Sequence, residues 1–342
     1  AAIETADISA LTTTAFKALA VDSVVGLSTD QVVALTSNHV SVLTSAQTAV
    51  FSTAQALAIE TRDISAMTTT ALRTLTTAAI AALSTDQIFA LNTAQTAALV
   101  SAQVEGMTAA QIAALQSTDL TVMNTAQMAV LNTAQAAAIE TTDISALTST
   151  NIRALTTAAI HALTTDQIQA LTTTQTAALT TNQAQVLTAA QIAALQSTDL
   201  ANLNSAQVAV FDSAQIAAIE TADISALTTT AFKAMNTEAL HGLSTDQIVN
   251  LTSAQVGALN TAQTAELSAT QAAAIQTDDI SAISTAAMRT LTTAAIAVLN
   301  ADQVAALTTA QTAGLNNEQV QALTTTQITA LQSTDLAAMN TA

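Results

Sequence analysis

The sequence predicts an all-α solenoid of short capped helices, one per eight-residue repeat. Three observations lead there: an unbroken period of eight, a capping signature inside each repeat, and a composition short of the residues that ordinary globular domains use. From Ile3 to Met339 every eighth residue is Leu, Ile, Met or Phe. The stretch from Leu83 shows the pattern: LSTDQIFA, LNTAQTAA, LVSAQVEG, MTAAQIAA. Half of the 342 residues are apolar, yet aromatics make up 1% and there is no Pro, Cys, Trp or Tyr. A chain with few aromatics and almost without Gly argues against a conventional enzyme domain. The apolar half argues equally against a disordered chain. Low complexity combined with high apolar content points to stacked repeats.

Each octad reads as one helix. Position two is mostly Thr, Ser or Asn, and position five mostly Gln or Asp. With position two as N-cap, position five falls at N3 and completes a capping box. Positions one and six then become the pair that staples the helix start. In 163–170, Thr164 caps, Gln167 reaches back, and Leu163 packs on Ile168. A small residue at position eight allows the next unit to approach. Helices of five to seven residues follow, none stable alone, and stacking supplies the buried leucine core. One continuous helix fails, because an apolar stripe of period eight rotates about 80° per octad. A β-solenoid is the alternative. It places positions one and six on opposite faces of a strand and fills strands with Ala and Gln, which suit them poorly.

A longer period overlies the octad. The segment IETTDISA at 139–146 recurs in related form from Ile3, Ile59, Ile219 and Ile275. These markers divide a single continuous array, 1–342, into super-repeats 3–58, 59–138, 139–218, 219–274 and 275–342. Complete super-repeats hold seven or ten octads, a difference of three. An insertion of whole laps leaves a solenoid's neighbours in register, so about three octads per lap are expected, or slightly more. Contacts between octads n and n+3 or n+4 would follow. Both ends of the sequence fall inside an octad, and the array is expected to continue beyond them.

The candidate functional residues are charges that keep the same phase. Lys17, Arg73, Arg153, Lys233 and Arg289 take position seven of the second octad in every super-repeat. Asp7, Asp63, Asp143, Asp223 and Asp279 take position five of the first. Two readings stand: a periodic assembly site, or solvated ion pairs between adjacent turns, which contribute about 0–1 kcal/mol each. Glu–Asp pairs such as Glu140 and Asp143 could hold Ca²⁺ weakly, but acids in a first helical turn are already explained by the helix dipole. His39, His161 and His241 are scattered among the copies and read as surface residues. No spacing suggests a catalytic triad, a phosphate loop, a metal site or a cofactor, so no catalytic or metal residues are expected. A net charge of −18 disfavours nucleic acid, and no run of about 18 residues lacks polar groups, so membrane insertion is not expected.

Runs such as LTTDQIQALTTTQTAAL from Leu163 and NADQVAALTTAQTAGL from Asn300 resemble the low-complexity octad-repeat region of large secreted or surface-attached bacterial adhesin and fibre proteins. That resemblance covers nearly the whole chain. It implies an extracellular or cell-surface setting and brings no catalytic residues. The expected function is structural: an elongated extracellular fibre, filament, sheath or stalk. Its partner would be a second copy or a continuation of the same chain. The alternative is an adhesin array that binds a glycan or protein through periodic surface sites.

Overall fold

A computed structural model describes residues 4–339, so the marker residue Ile3 and the last three residues of the final octad lie outside it. The chain is all-helical: among the described residues there are 41 α-helices of four to six residues, one 3-10 turn and no strand. The helices are shorter than the expected five to seven residues because the chain leaves helical geometry at both edges of the octad. Position two is extended, and position eight or one closes the preceding turn. Thr164 shows the start, with φ −71° and ψ 161°. Its hydroxyl accepts from the Gln167 backbone at 3.2 Å, and Gln167 Oε1 accepts from the Thr164 N–H at 2.8 Å. Where Thr, Ser, Asn or Asp stands at position two, its side chain thus begins the next helix by competing with continued helix for the backbone donors, whereas Glu60, Val100 and Glu140 make no such bond. Among the described residues none needs a positive φ, which is why a chain with 41 α-helix C-termini can manage with five glycines.

Positions one and six are buried through the interior of the array, as at Leu163 and Ile168, whereas near its ends Leu11 and Leu19 are half-buried and Ile328 and Leu336 are exposed. Four of the five Phe follow the same rule, Phe16 and Phe232 at position six and Phe51 and Phe211 at position one, while Phe89 at position seven is exposed. The chain forms two compact units, Ala1–Leu171 and Thr172–Ala342. Within each, a helix packs on the helix three octads away. In the first unit Ala109–Ala113 packs on Thr133–Ala137, which packs on Thr157–His161. In the second, Thr245–Val249 packs on Ala269–Ala274.

Hydrogen bonds between laps span more than three octads. Gln111 Nε2 donates to Leu83 O and Ile80 O, 28 and 31 residues earlier, both at 2.8 Å. Gln135 does the same to Met107 O at 2.7 Å and Val104 O at 2.9 Å. One lap therefore takes between three and four octads, the upper side of the expected range. The acceptors are carbonyls at a helix C-terminus, which have no partner within their own helix. Buried glutamines of the following lap donate to them, adding to the turn bonds that Ile80 O and Val104 O already accept from the Leu83 and Met107 N–H groups.

Candidate functional site

Position five is where each octad meets the lap before it. Gln is the regular occupant, and its amide performs two tasks at once. The oxygen caps its own helix, and the nitrogen bonds the preceding lap. Gln111 is 2% exposed, and all its polar atoms are engaged. Other residues at this position show which parts of that chemistry are needed. Asn151 retains a single donation, Nδ2 to Met123 O at 2.8 Å. His39 does what glutamine does. Its Nδ1 lies 3.3 Å from the Thr36 N–H, and its Nε2 lies 2.7 Å from Leu11 O, again 28 residues earlier. This pattern requires the neutral ring with the proton on Nε2, since Nδ1 must accept. The surface reading of His39 is therefore wrong: it is buried, with its ring 5.1 Å from that of Phe16. His241 does lie exposed, paired with Glu266 at 3.3 Å.

Aspartate at position five cannot donate, and it is matched differently. Asp63, Asp143 and Asp279 are buried and accept hydrogen bonds from Ser37, Ser117 and Ser253, each 26 residues earlier at position three. Asp335 repeats the arrangement with Thr309 at 2.8 Å. Asp119 and Asp199 take a second form, in which a buried threonine, Thr96 or Thr176, donates to the carboxylate. Burial pushes both carboxyl groups above the ordinary aspartate value, while the Gln116 or Gln196 backbone N–H and the threonine hydroxyl pull against it.

The ten periodic charges separate into two unlike sets. Three of the aspartates are structural and buried between laps, Asp7 is exposed and Asp223 half-buried. The cations Lys17, Arg73, Arg153, Lys233 and Arg289 are all exposed. Among the described residues no ion pair joins Lys17, Arg73, Lys233 or Arg289 to the acidic series. The solvated-pair arrangement is thus absent for those four cations; in the super-repeats of Arg73 and Arg289 the carboxylates of Asp63 and Asp279 face serine hydroxyls instead. Arg62 does meet the series, at 3.5 Å from Asp63 and 3.1 Å from Glu60.

Two surface recesses open beside cations of the periodic set. Lys17 lines one of about 470 Å³ with Thr13, Thr14 and Val42, and Arg289 lines one of about 550 Å³ with Asn316, Asn317 and Glu318. Among the described residues no three His, Cys, Asp or Glu side chains gather as a metal site, and no helix is long and apolar enough to cross a membrane.

The family model for the ALTTAQ repeat matches seven segments: 1–37, 56–93, 112–149, 136–173, 192–219, 216–253 and 272–309. Together they cover more than half of the chain. The chain belongs to the ALTTAQ repeat family. From the second match onward, successive ALTTAQ matches start either seven octads or three octads apart. No curated protein matches the chain in sequence.

Proposed function

We propose that this ALTTAQ repeat protein is structural: an elongated extracellular fibre, filament, sheath or stalk at the cell surface, with no catalytic activity. The observation that carries this reading is the glutamine ladder between laps. Each lap is held to the previous one by side-chain donors on main-chain carbonyls, a join that depends little on side-chain identity and can be repeated without limit. Asn151 and His39 preserve the join where glutamine is missing, as expected if lap cohesion is what the sequence maintains. The acidic surface keeps such a body hydrated and limits indiscriminate association. Self-association, or continuation of the same chain, is the partnership this reading expects.

Electron microscopy of the purified chain, with immunogold labelling of the cells that make it, tests the proposal. Extended particles and label on the cell exterior are expected. Compact particles, or label confined to the cell interior, would overturn it.

A further inference from the structure

Five of the six Lys and Arg residues of this acidic chain occupy one repeat position, and the sixth, Arg62, is held by Glu60 and Asp63. Lys17, Arg73 and Arg153 lie in the first unit, seven and then ten octads apart. Bonds between laps span 26 residues from Ser37 to Asp63 and 28 from Leu83 to Gln111. Within that range, seven octads make two laps and ten make three. The bonds from Asn92 to Ser65 O and from Gln116 to Phe89 O span 27 residues, and at about 27 residues per lap the seventeen octads from Lys17 to Arg153 make five laps. Seven octads then overshoot two laps by about 1.6 residues, and ten octads fall short of three by the same amount. Alternating seven with ten cancels a drift of roughly 20° per interval that an all-seven array would accumulate. The two super-repeat lengths bring the three cations back to one face of the unit.

A matching acidic row exists. Asp30, Asp86 and Asp166 take position four of the fourth octad, and all are exposed. Each lies between one and two octads beyond a cation of the second octad. In a lap of three to four octads that offset is about half a lap, so this row lies on the opposite side of the unit. Asp246 and Asp302 follow Lys233 and Arg289 by the same interval in the second unit. We propose that the cation row is a docking surface for the aspartate row of a second copy of this chain. Neighbours would lie side by side and parallel, shifted by half a lap. Because the two rows occupy opposite faces, such a contact is heterologous and does not close. It adds copies laterally into a sheet or bundle. Single exposed ion pairs are weak, and the strength comes from several pairs engaging at once. The spacing also sets specificity, since only a neighbour with the same sequence of two- and three-lap intervals meets every charge. The recesses beside Lys17 and Arg289 give an incoming side chain room at two of the five cations.

The inference rests on the structural reading above, and charge exchange tests it separately. One full-length variant combines Lys17→Glu, Arg73→Glu, Arg153→Glu, Lys233→Glu and Arg289→Glu. A second combines Asp30→Lys, Asp86→Lys, Asp166→Lys, Asp246→Lys and Asp302→Lys. Sedimentation velocity at low and high salt reads the association, and circular dichroism confirms the fold. Wild type is expected to associate at low salt and each variant alone at least tenfold more weakly. An equimolar mixture of the two should associate again. If Asp→Lys changes disturb the helix starts, the five Asp→Asn changes replace them and should weaken association with the fold intact. Wild type that associates no more tightly than both reversed variants would overturn the proposal while leaving a fibre built through another surface. Wild type that stays single at every salt concentration also overturns it, and microscopy of isolated particles then decides the fibre reading alone.

Discussion

Gln111 and Asp119 stand one octad apart at the same repeat position, both almost fully buried, and they hold the preceding lap in opposite ways. Gln111 gives two hydrogen bonds to main-chain carbonyls and accepts one from its own N-cap, Thr108. Asp119 only accepts: its carboxylate faces the Gln116 N–H and the Thr96 hydroxyl. Glutamine needs nothing from the side chains of the lap below, since a carbonyl is present whatever the residue. Aspartate needs a hydroxyl at one of two offsets, 26 residues earlier for Asp63 or 23 earlier for Asp199. The first join suits an array of any sequence, and the second marks a register.

The sharpest way to break this comparison is to give one site the charge of the other. Gln111→Glu keeps the shape and the acceptor for the Thr108 N–H, but sets a carboxylate against Ile80 O and Leu83 O. A buried charge facing two acceptors is expected to cost about 3–5 kcal/mol. Amide hydrogen exchange should localise the loss to the laps on either side, because solenoids open locally. Protection unchanged in the segment from Ile80 to Leu83 would refute the donor role of glutamine.

A third kind of join uses neither residue. In octad 235–242, position five is Ala239, and the lap below is approached closely enough that a Cβ on Gly242 would sit 2.0 Å from Ser213 O. At Gly106, in an octad that has glutamine, the corresponding contact with Thr77 is an ordinary 3.5 Å. Gly242→Ala is expected to destabilise by about 1–3 kcal/mol, and Gly106→Ala to have little effect. Equal midpoints for the two variants in chemical denaturation would contradict the closer approach.

Asp119 and Asp199 make a prediction about pH. Their folded carboxyls titrate above the unfolded value, so their stabilising contribution is present in full below the ordinary aspartate range. It is lost as pH rises through the raised folded value. These two sites therefore contribute less to stability at neutral pH than in acid, and mild acidification should strengthen the fold locally. Asp119→Asn should stabilise at pH 7 by less than Gly242→Ala destabilises. It should also remove its share of the pH dependence in thermal melts recorded from about pH 3 to 7. A melting profile for the variant parallel to wild type at every pH would count against the buried carboxylate as the cause.

Much of this architecture is legible in the sequence because it is local. Thr164 and Gln167 announce a capping box within one helical turn, and Leu163 with Ile168 announces the buried pair. The lap is legible at second hand, from the three octads that separate long and short super-repeats. The joins between laps are not, because the acceptors of Gln111 are main-chain atoms and carry no sequence signature. The serine partners leave a trace in the constant offset from Ser37 to Asp63, Ser117 to Asp143 and Ser253 to Asp279, but that trace is insufficient by itself. Ser197 precedes Asp223 by the same interval, yet Asp223 is half-buried and the chain there forms a 3-10 turn, Ile224–Ala226, in place of an α-helix. The cations stand out by phase alone, since exposure and repetition need no knowledge of packing.

His39 offers the smallest expected effect and the closest test of equivalence at position five. It is the one histidine at glutamine's position, a signal available in LTSNHVSV once the octad is aligned. His39→Gln should restore the regular pair of contacts, with Oε1 on the Thr36 N–H and Nε2 on Leu11 O. It forfeits the ring contact with Phe16, which contributes about 0.5–1.5 kcal/mol. It gains a second potential donor hydrogen for the carbonyls of the preceding lap. The two changes oppose each other, and the variant is expected within about 1 kcal/mol of wild type. His39→Ala has no such compensation: it leaves the Leu11 carbonyl and the Thr36 N–H without partners and should cost about 1–3 kcal/mol. Denaturation midpoints of the two variants settle the matter. If glutamine proves as damaging as alanine, the histidine is holding the lap through its ring rather than through the hydrogen bonds it shares with glutamine.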